Sequence, residues 1–153
     1  MSDRQLRFTS LAAAEAELGR LTRAGLPSSG KGWNWAQTLT HCAQSIEFSM
    51  TGFPVSRGRL FQRTVGAAAF GVFRRRGVMS HGLSEPIPGA PALEAGVDPG
   101  QALERLRRAI DDFRRGSGPL RPHFAYGLLE RPLYEQAHAM HLAHHLSAFR
   151  PGS

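Results

Sequence analysis

Four of the chain's seven histidines fall within eight residues near its end: His138, His141, His144 and His145. On a helix, residues four apart lie on one face, one turn above the other, so His141 and His145 can reach the same ion. His138 sits a turn earlier on roughly that face, whereas His144 points about 100° away from His145. The pair has the spacing of the zinc-protease HExxH motif, but Leu142 stands where that motif needs its general-base glutamate. That reaction is excluded. A third ligand must come from another element, and His41 is the best candidate. Three neutral imidazoles suit zinc, nickel, iron or copper, and they leave coordination positions open. They also leave the ion's full charge to acidify a bound water or thiol. The competing reading of each histidine is a hydrogen-bonded structural residue of a helical core.

Apolar periodicity predicts five helices to position these side chains. The first covers about 10–24, where Leu11, Ala14, Leu18 and Leu21 recur at helical spacing, with Ser10 to cap it and Gly25 to end it. The second covers about 34–50, with Trp35, Leu39, Cys42, Ile46 and Met50 on one stripe, and Gly52-Phe53-Pro54 stops it. His41 flanks that stripe, on a face that also carries Thr38, Ser45 and Phe48. Cys42 continues the stripe and reads as core, and Trp33 and Trp35 read as packing anchors. The third helix, 59–76, would turn Phe61, Val65, Ala68, Ala69, Val72 and Phe73 inward. Its closing Arg74-Arg75-Arg76 either complements the negative end of the helix dipole or binds something. The fourth begins near Pro99 after a capping Asp98 and ends at Gly116. The last, 132–149, holds the histidine run. With no strand pattern and no internal repeat, the fold class is all-α, a helical bundle.

Between the third and fourth helices, residues 78–100 include Ser84-Glu85-Pro86-Ile87-Pro88-Gly89-Ala90-Pro91, which cannot sustain a helix. A loop this long either walls a site or covers an apolar seam, with Ile87 and Leu93 packed inward. His81 and His123, the other two histidines outside the helices, are offered to the pocket as acid, base or fourth ligand. The 153 residues suit a single domain, 1–153. A hydrophobic fraction of 41% with 20% charged residues excludes a disordered chain. No apolar run approaches the roughly 20 residues of a membrane span, so no membrane partner is expected. The start, Met1-Ser2-Asp3-Arg4, lacks a secretory pattern, and a lone cysteine excludes an internal disulfide. A cytoplasmic location follows. The net charge of +7 is carried almost wholly by scattered arginines, Lys31 being the only lysine. Without interleaved stacking aromatics or a recognition motif, no nucleic-acid partner is expected.

Three segments carry a family resemblance. They are 35–54, built around Thr40-His41-Cys42; Met79-Ser80-His81-Gly82-Leu83; and Pro122-His123-Phe124-Ala125-Tyr126-Gly127 running on to Ala137-His138-Ala139-Met140-His141-Leu142-Ala143-His144-His145-Leu146-Ser147. Together they resemble the DinB-like (YfiT-like) superfamily of bacterial proteins, and more closely its branch labelled domain of unknown function 1569. The resemblance spans nearly the whole chain. It implies a four-helix bundle with an additional helix and a long Pro/Gly-rich loop. It also implies a histidine triad, one from the second helix and two from the last, which maps onto His41, His141 and His145. Known activities in the superfamily imply a metal-dependent enzyme acting on a small-molecule substrate, either a thiol S-transferase using a low-molecular-weight thiol or a hydrolase. A homodimer is often formed. Zinc or nickel comes first as the metal, iron or manganese next. His138, Tyr134 and His123 are the candidate proton carriers. The chain departs from the superfamily after its last ligand, where Leu146-Ser147-Ala148 replaces Arg-Gly-Gln. The alternative reading is a non-catalytic metal-binding or interaction protein on the same scaffold.

Overall fold

A computed structural model describes residues 4–152. Met1–Asp3, part of the start read above for an export signal, and Ser153 lie outside the described residues. Helix α1 is Leu11–Thr22, α2 is Trp35–Thr51, α3 is Arg59–Phe61, α4 is Ala67–Arg76, α5 is Pro99–Arg115 and α6 is Arg131–Leu146. A π-helical turn, Gln62–Gly66, joins α3 and α4 into one rod, so the described residues form five helical rods and no strand. None of these helices is long and apolar enough to cross a membrane.

The helix ends follow from the residues at them. Ser10 accepts a hydrogen bond from the amide of Ala13, and Asp98 accepts one from Gln101 just before Pro99. Asn34 and Gln37 form a reciprocal capping box at the start of α2. Gly77 ends α4 in the left-handed conformation, with φ +72°.

Helix α2 is central. It packs against α5 and α6, and α6 also packs against α1. Of its 17 residues, 12 are buried, so its polar groups must find partners inside the protein. The predicted stripe is core: Trp35, Leu39, Cys42 and Ile46 are buried, as are Leu11, Leu18 and Leu21 of α1. Burial pushes the Cys42 thiol well above its usual range, as a packing role requires.

The rod of α3 and α4 corrects the expected stripe. Val65 and Val72 are 59% and 52% exposed, whereas Gln62, Gly66 and Phe70 face inward. The inward face of the rod packs on the 123–127 turn. Gly66 lies so close to that turn that an added Cβ would overlap the carbonyl of Ala125. Gln62 donates from Nε2 to the carbonyls of His123 and Phe124 and to Ser56 Oγ. A π-helical turn shifts the phase of a helix, so a 3.6-residue pattern misplaces the inward face.

The long loop is fixed by amides of α2. Asn34 donates to the carbonyl of Ala95, Gln37 to that of Leu93, and Gln44 to that of Pro91, at 3.0, 3.0 and 3.2 Å. Carbonyls of Pro91, Leu93 and Ala95 thus meet side chains of α2 and of its N-cap residue Asn34. Ile87 is buried and Leu93 half-buried, so the loop also covers apolar surface.

Candidate metal centre

Helices α2 and α6 bring His41, His141 and His145 together. Their ring centroids form a nearly equilateral triangle with sides of 4.9, 4.7 and 4.7 Å. One ligand nitrogen from each lies within 4.8 Å of the others. His41 Nε2 and His141 Nε2 are 3.0 Å apart. In a tetrahedral zinc site with bonds of about 2.05 Å, neighbouring nitrogens stand roughly 3.3 Å apart. The three histidines are therefore positioned to hold a metal ion.

The surroundings fit that donor set. His41 and His145 are fully buried, and His41 Nδ1 and His145 Nε2 have no hydrogen-bond partner among the described residues. An unpartnered buried nitrogen costs about 1–3 kcal/mol, a cost that a ligated ion removes where the lone pair faces it. Ligation also needs unprotonated imidazoles. Burial lowers the pKa of His41 to about 4, with the neighbouring His81 adding to the effect. Burial, and then the surrounding imidazoles, hold His141 and His145 well below the usual histidine range. All three are neutral at pH 7 without a metal.

A cavity of about 350 Å³ opens beside the triad. His41 and His141 form part of its wall, so an ion held by the three rings would face the cavity. The opposite wall comes from the long loop, through Met79, His81 and Ile87, and from His123–Tyr126. Residues 78–100 thus wall the site and cover an apolar seam at once.

The other candidate residues separate by position. His138 lines the cavity, and its Nε2 lies 3.0 Å from Ser49 Oγ. That hydroxyl already donates to the carbonyl of Ile46, so His138 must be the donor, with its proton on Nε2. His123 lines the cavity as well. Its Nδ1 accepts from the amides of Ala125 and Tyr126, which leaves the neutral ring's proton on Nε2. Burial lowers both to about 3. Tyr134 lies outside the wall: it is fully buried, stacks on His138, and donates its hydroxyl to the carbonyl of Arg121. His144 is not one of the grouped ligands; it bonds the carbonyl of His81 at 2.8 Å.

Two further side chains sit against the triad: Trp33, which was not legible as a neighbour, and His81, which the sequence offered to the pocket as acid, base or fourth ligand. Trp33, read as a packing anchor, sits against His41 and His145, with ring centroids 4.8 and 6.2 Å away. His81 stacks on His141 at 5.4 Å and lies 5.1 Å from His145. The Gly82 carbonyl lies 3.0 Å from its Nδ1, so the proton is on Nδ1 and the lone pair on Nε2.

The model of the family described as "Protein of unknown function (DUF1569)" matches residues 1–152. The chain belongs to that family. No curated protein and no solved structure matches it. In this DUF1569 chain, Leu146 and Ser147, which follow the last triad histidine, have structural work. Leu146 is fully buried, and Ser147 donates to the carbonyl of Ala143 while accepting from the amide of Leu6.

Proposed function

We propose that this protein is a metal-dependent enzyme of the DinB type, acting on a small molecule held in the 350 Å³ cavity. One observation carries the proposal: the histidine triad is largely buried, and two of its rings, His41 and His141, line a cavity. A purely structural site closes its coordination sphere with protein ligands, whereas a catalytic one keeps a position for substrate. On this reading α1, α2, α5 and α6 are the four bundle helices and the α3–α4 rod is the additional one. The reaction is transfer of a low-molecular-weight thiol to an electrophile, or hydrolysis.

A divalent ion, zinc or nickel first, would supply Lewis acidity to a thiol or water. The chain's own residues do the rest. His41, His141 and His145 hold the ion and are already unprotonated. Met79, Ile87, Phe124 and Tyr126 exclude water from the apolar part of the cavity. His138 and His123 each present a neutral ring of fixed tautomer at the wall. His123 can only donate, from Nε2, because its Nδ1 accepts from two amides, which leaves His138 as the ring able to take up a proton.

The test is elemental analysis of protein purified without a histidine tag, repeated on His41→Ala, His141→Ala and His145→Ala. Expected is one divalent ion per chain and a loss of affinity of at least about tenfold in each variant. Thiol consumption with an aryl halide, and ester hydrolysis, should then follow metal content. Metal binding without either activity would leave the non-catalytic metal protein. Unchanged metal content in all three variants would refute the site.

A further inference from the structure

A second groove, of about 560 Å³, adjoins the metal cavity, and Met79 and His81 line both. Its lining is basic: Arg4, Arg7, Lys31 and Arg76 line it, and among the described residues no lining residue is acidic. Its apolar lining comes from Leu6, Val78, Leu83 and Met140.

The basic lining is built and not incidental. Arg4 is fixed by Glu17 and by the carbonyls of Leu146 and Phe149, which anchors the amino-terminal segment along α6. The amide of Leu6 bonds Ser147 Oγ and holds the next residues there. Arg7 then donates from Nη1 to the carbonyl of Arg76, at 2.6 Å. That bond gives the terminal carbonyl of α4 a further cation beside Arg74, Arg75 and Arg76, which stand in its last turn as the helix-dipole reading expects. Arg74 is occupied elsewhere, bonding Gln136 and lying over the Phe70 ring. The Arg76 guanidinium is exposed and makes no ion pair among the described residues. Arg7 and Arg76, which no carboxylate pairs among the described residues, beside a concave apolar surface favour one kind of occupant. It has an apolar body and an anionic head that guanidinium can bind in bidentate fashion.

We infer that this groove binds a small organic anion, a carboxylate or phosphate on an apolar body, next to the metal cavity. A nucleic acid fits less well, because among the described residues no Phe, Tyr or Trp lines the groove to stack successive bases. The inference is independent of whether the triad holds an ion.

Calorimetric titration of the full chain with octyl phosphate tests it, using chelator-treated protein so that the triad's metal plays no part. Octyl phosphate should bind, and octyl glucoside, which has the same tail and a neutral head, should bind at least about tenfold more weakly. Arg76→Gln should weaken octyl phosphate by a similar factor and leave the melting temperature unchanged, since its side chain bonds nothing. Arg75→Gln, in the same run but outside the groove, should have no effect. No binding, equal loss in Arg75→Gln, or equal affinity for the glucoside would overturn the inference. So would tighter binding of a single-stranded oligonucleotide, or cosedimentation with phosphatidylglycerol vesicles, if Arg76→Gln abolished it. Those outcomes would assign the groove to nucleic acid or membrane.

Discussion

Histidines serve two different purposes in this core, and hydrogen bonding separates them. His123 and His138 have one ring nitrogen committed to a backbone or hydroxyl partner, whereas the triad keeps nitrogens directed at one another or at nothing. Spacing alone placed His141 and His145 on one face, because helical geometry leaves little choice. The choice of His41 needed its position beside the apolar stripe of α2. Tautomers and partners were not legible, since they depend on residues distant in sequence, such as Ser49 for His138. Commitment to neutral forms has a cost in acid. His123 and His138 are lowered to about 3 by burial, while in an unfolded chain they titrate near 6.5. Between those values the unfolded chain binds protons that the native one does not, so stability falls as pH drops below about 6.5. Each contributes at most about 1.4 kcal/mol per pH unit inside that window. Urea midpoints of metal-free protein should therefore fall between about pH 7 and pH 5, and His138→Gln should flatten the slope. A profile as steep in the variant as in the parent would remove His138 from the cause.

Among the elements, the α3–α4 rod and the long loop are where periodicity stopped being informative. The other helices bury aliphatic stripes against one another, so apolar spacing located them to within a few residues. The rod instead meets a turn through Gln62 and Gly66, a polar residue and one without a side chain, which no hydrophobic pattern marks. Two glycines on that rod give a test with opposite signs. Gly66→Ala drives a Cβ into the Ala125 carbonyl and should cost about 1–3 kcal/mol, because backbone has to move. Gly71→Ala meets nothing within 4 Å and should stabilise by roughly 0.5–1 kcal/mol, the ordinary helix gain over glycine. Chemical denaturation of both variants decides it, and equal effects would mean that the rod does not rest on the turn. The loop depends on polar anchors in the same way. Gln44→Ala leaves the carbonyl of Pro91 without its donor and should cost about 1 kcal/mol. Faster amide exchange confined to residues 78–98 would identify the amide as the loop's anchor; unchanged exchange there would deny it that role.

At the scale of the whole molecule, the metal centre joins parts of the chain that are far apart in sequence. His41 lies 100 residues before His141, and both sit beside a wall made by the loop and the 123–127 turn. An ion held by the triad would therefore tie α2 to α6 only when the chain is folded. Ligands that bind the native state alone stabilise it by about 2.7 kcal/mol at a hundred times their dissociation constant. For a chain of this size that corresponds to a rise in melting temperature of roughly 5–10 °C. The gain should vanish in His141→Ala, which removes one ligand. It should also shrink in acid, once the native imidazoles themselves take up protons, at about pH 4 for His41. A zinc and nickel titration followed by calorimetry at neutral and acid pH measures both effects. Equal stabilisation of parent and His141→Ala would place the ion elsewhere on the chain. An unchanged melting temperature in the parent, with either metal, would mean that the triangle of imidazoles is a packing arrangement and that the cavity beside it must be explained without an ion.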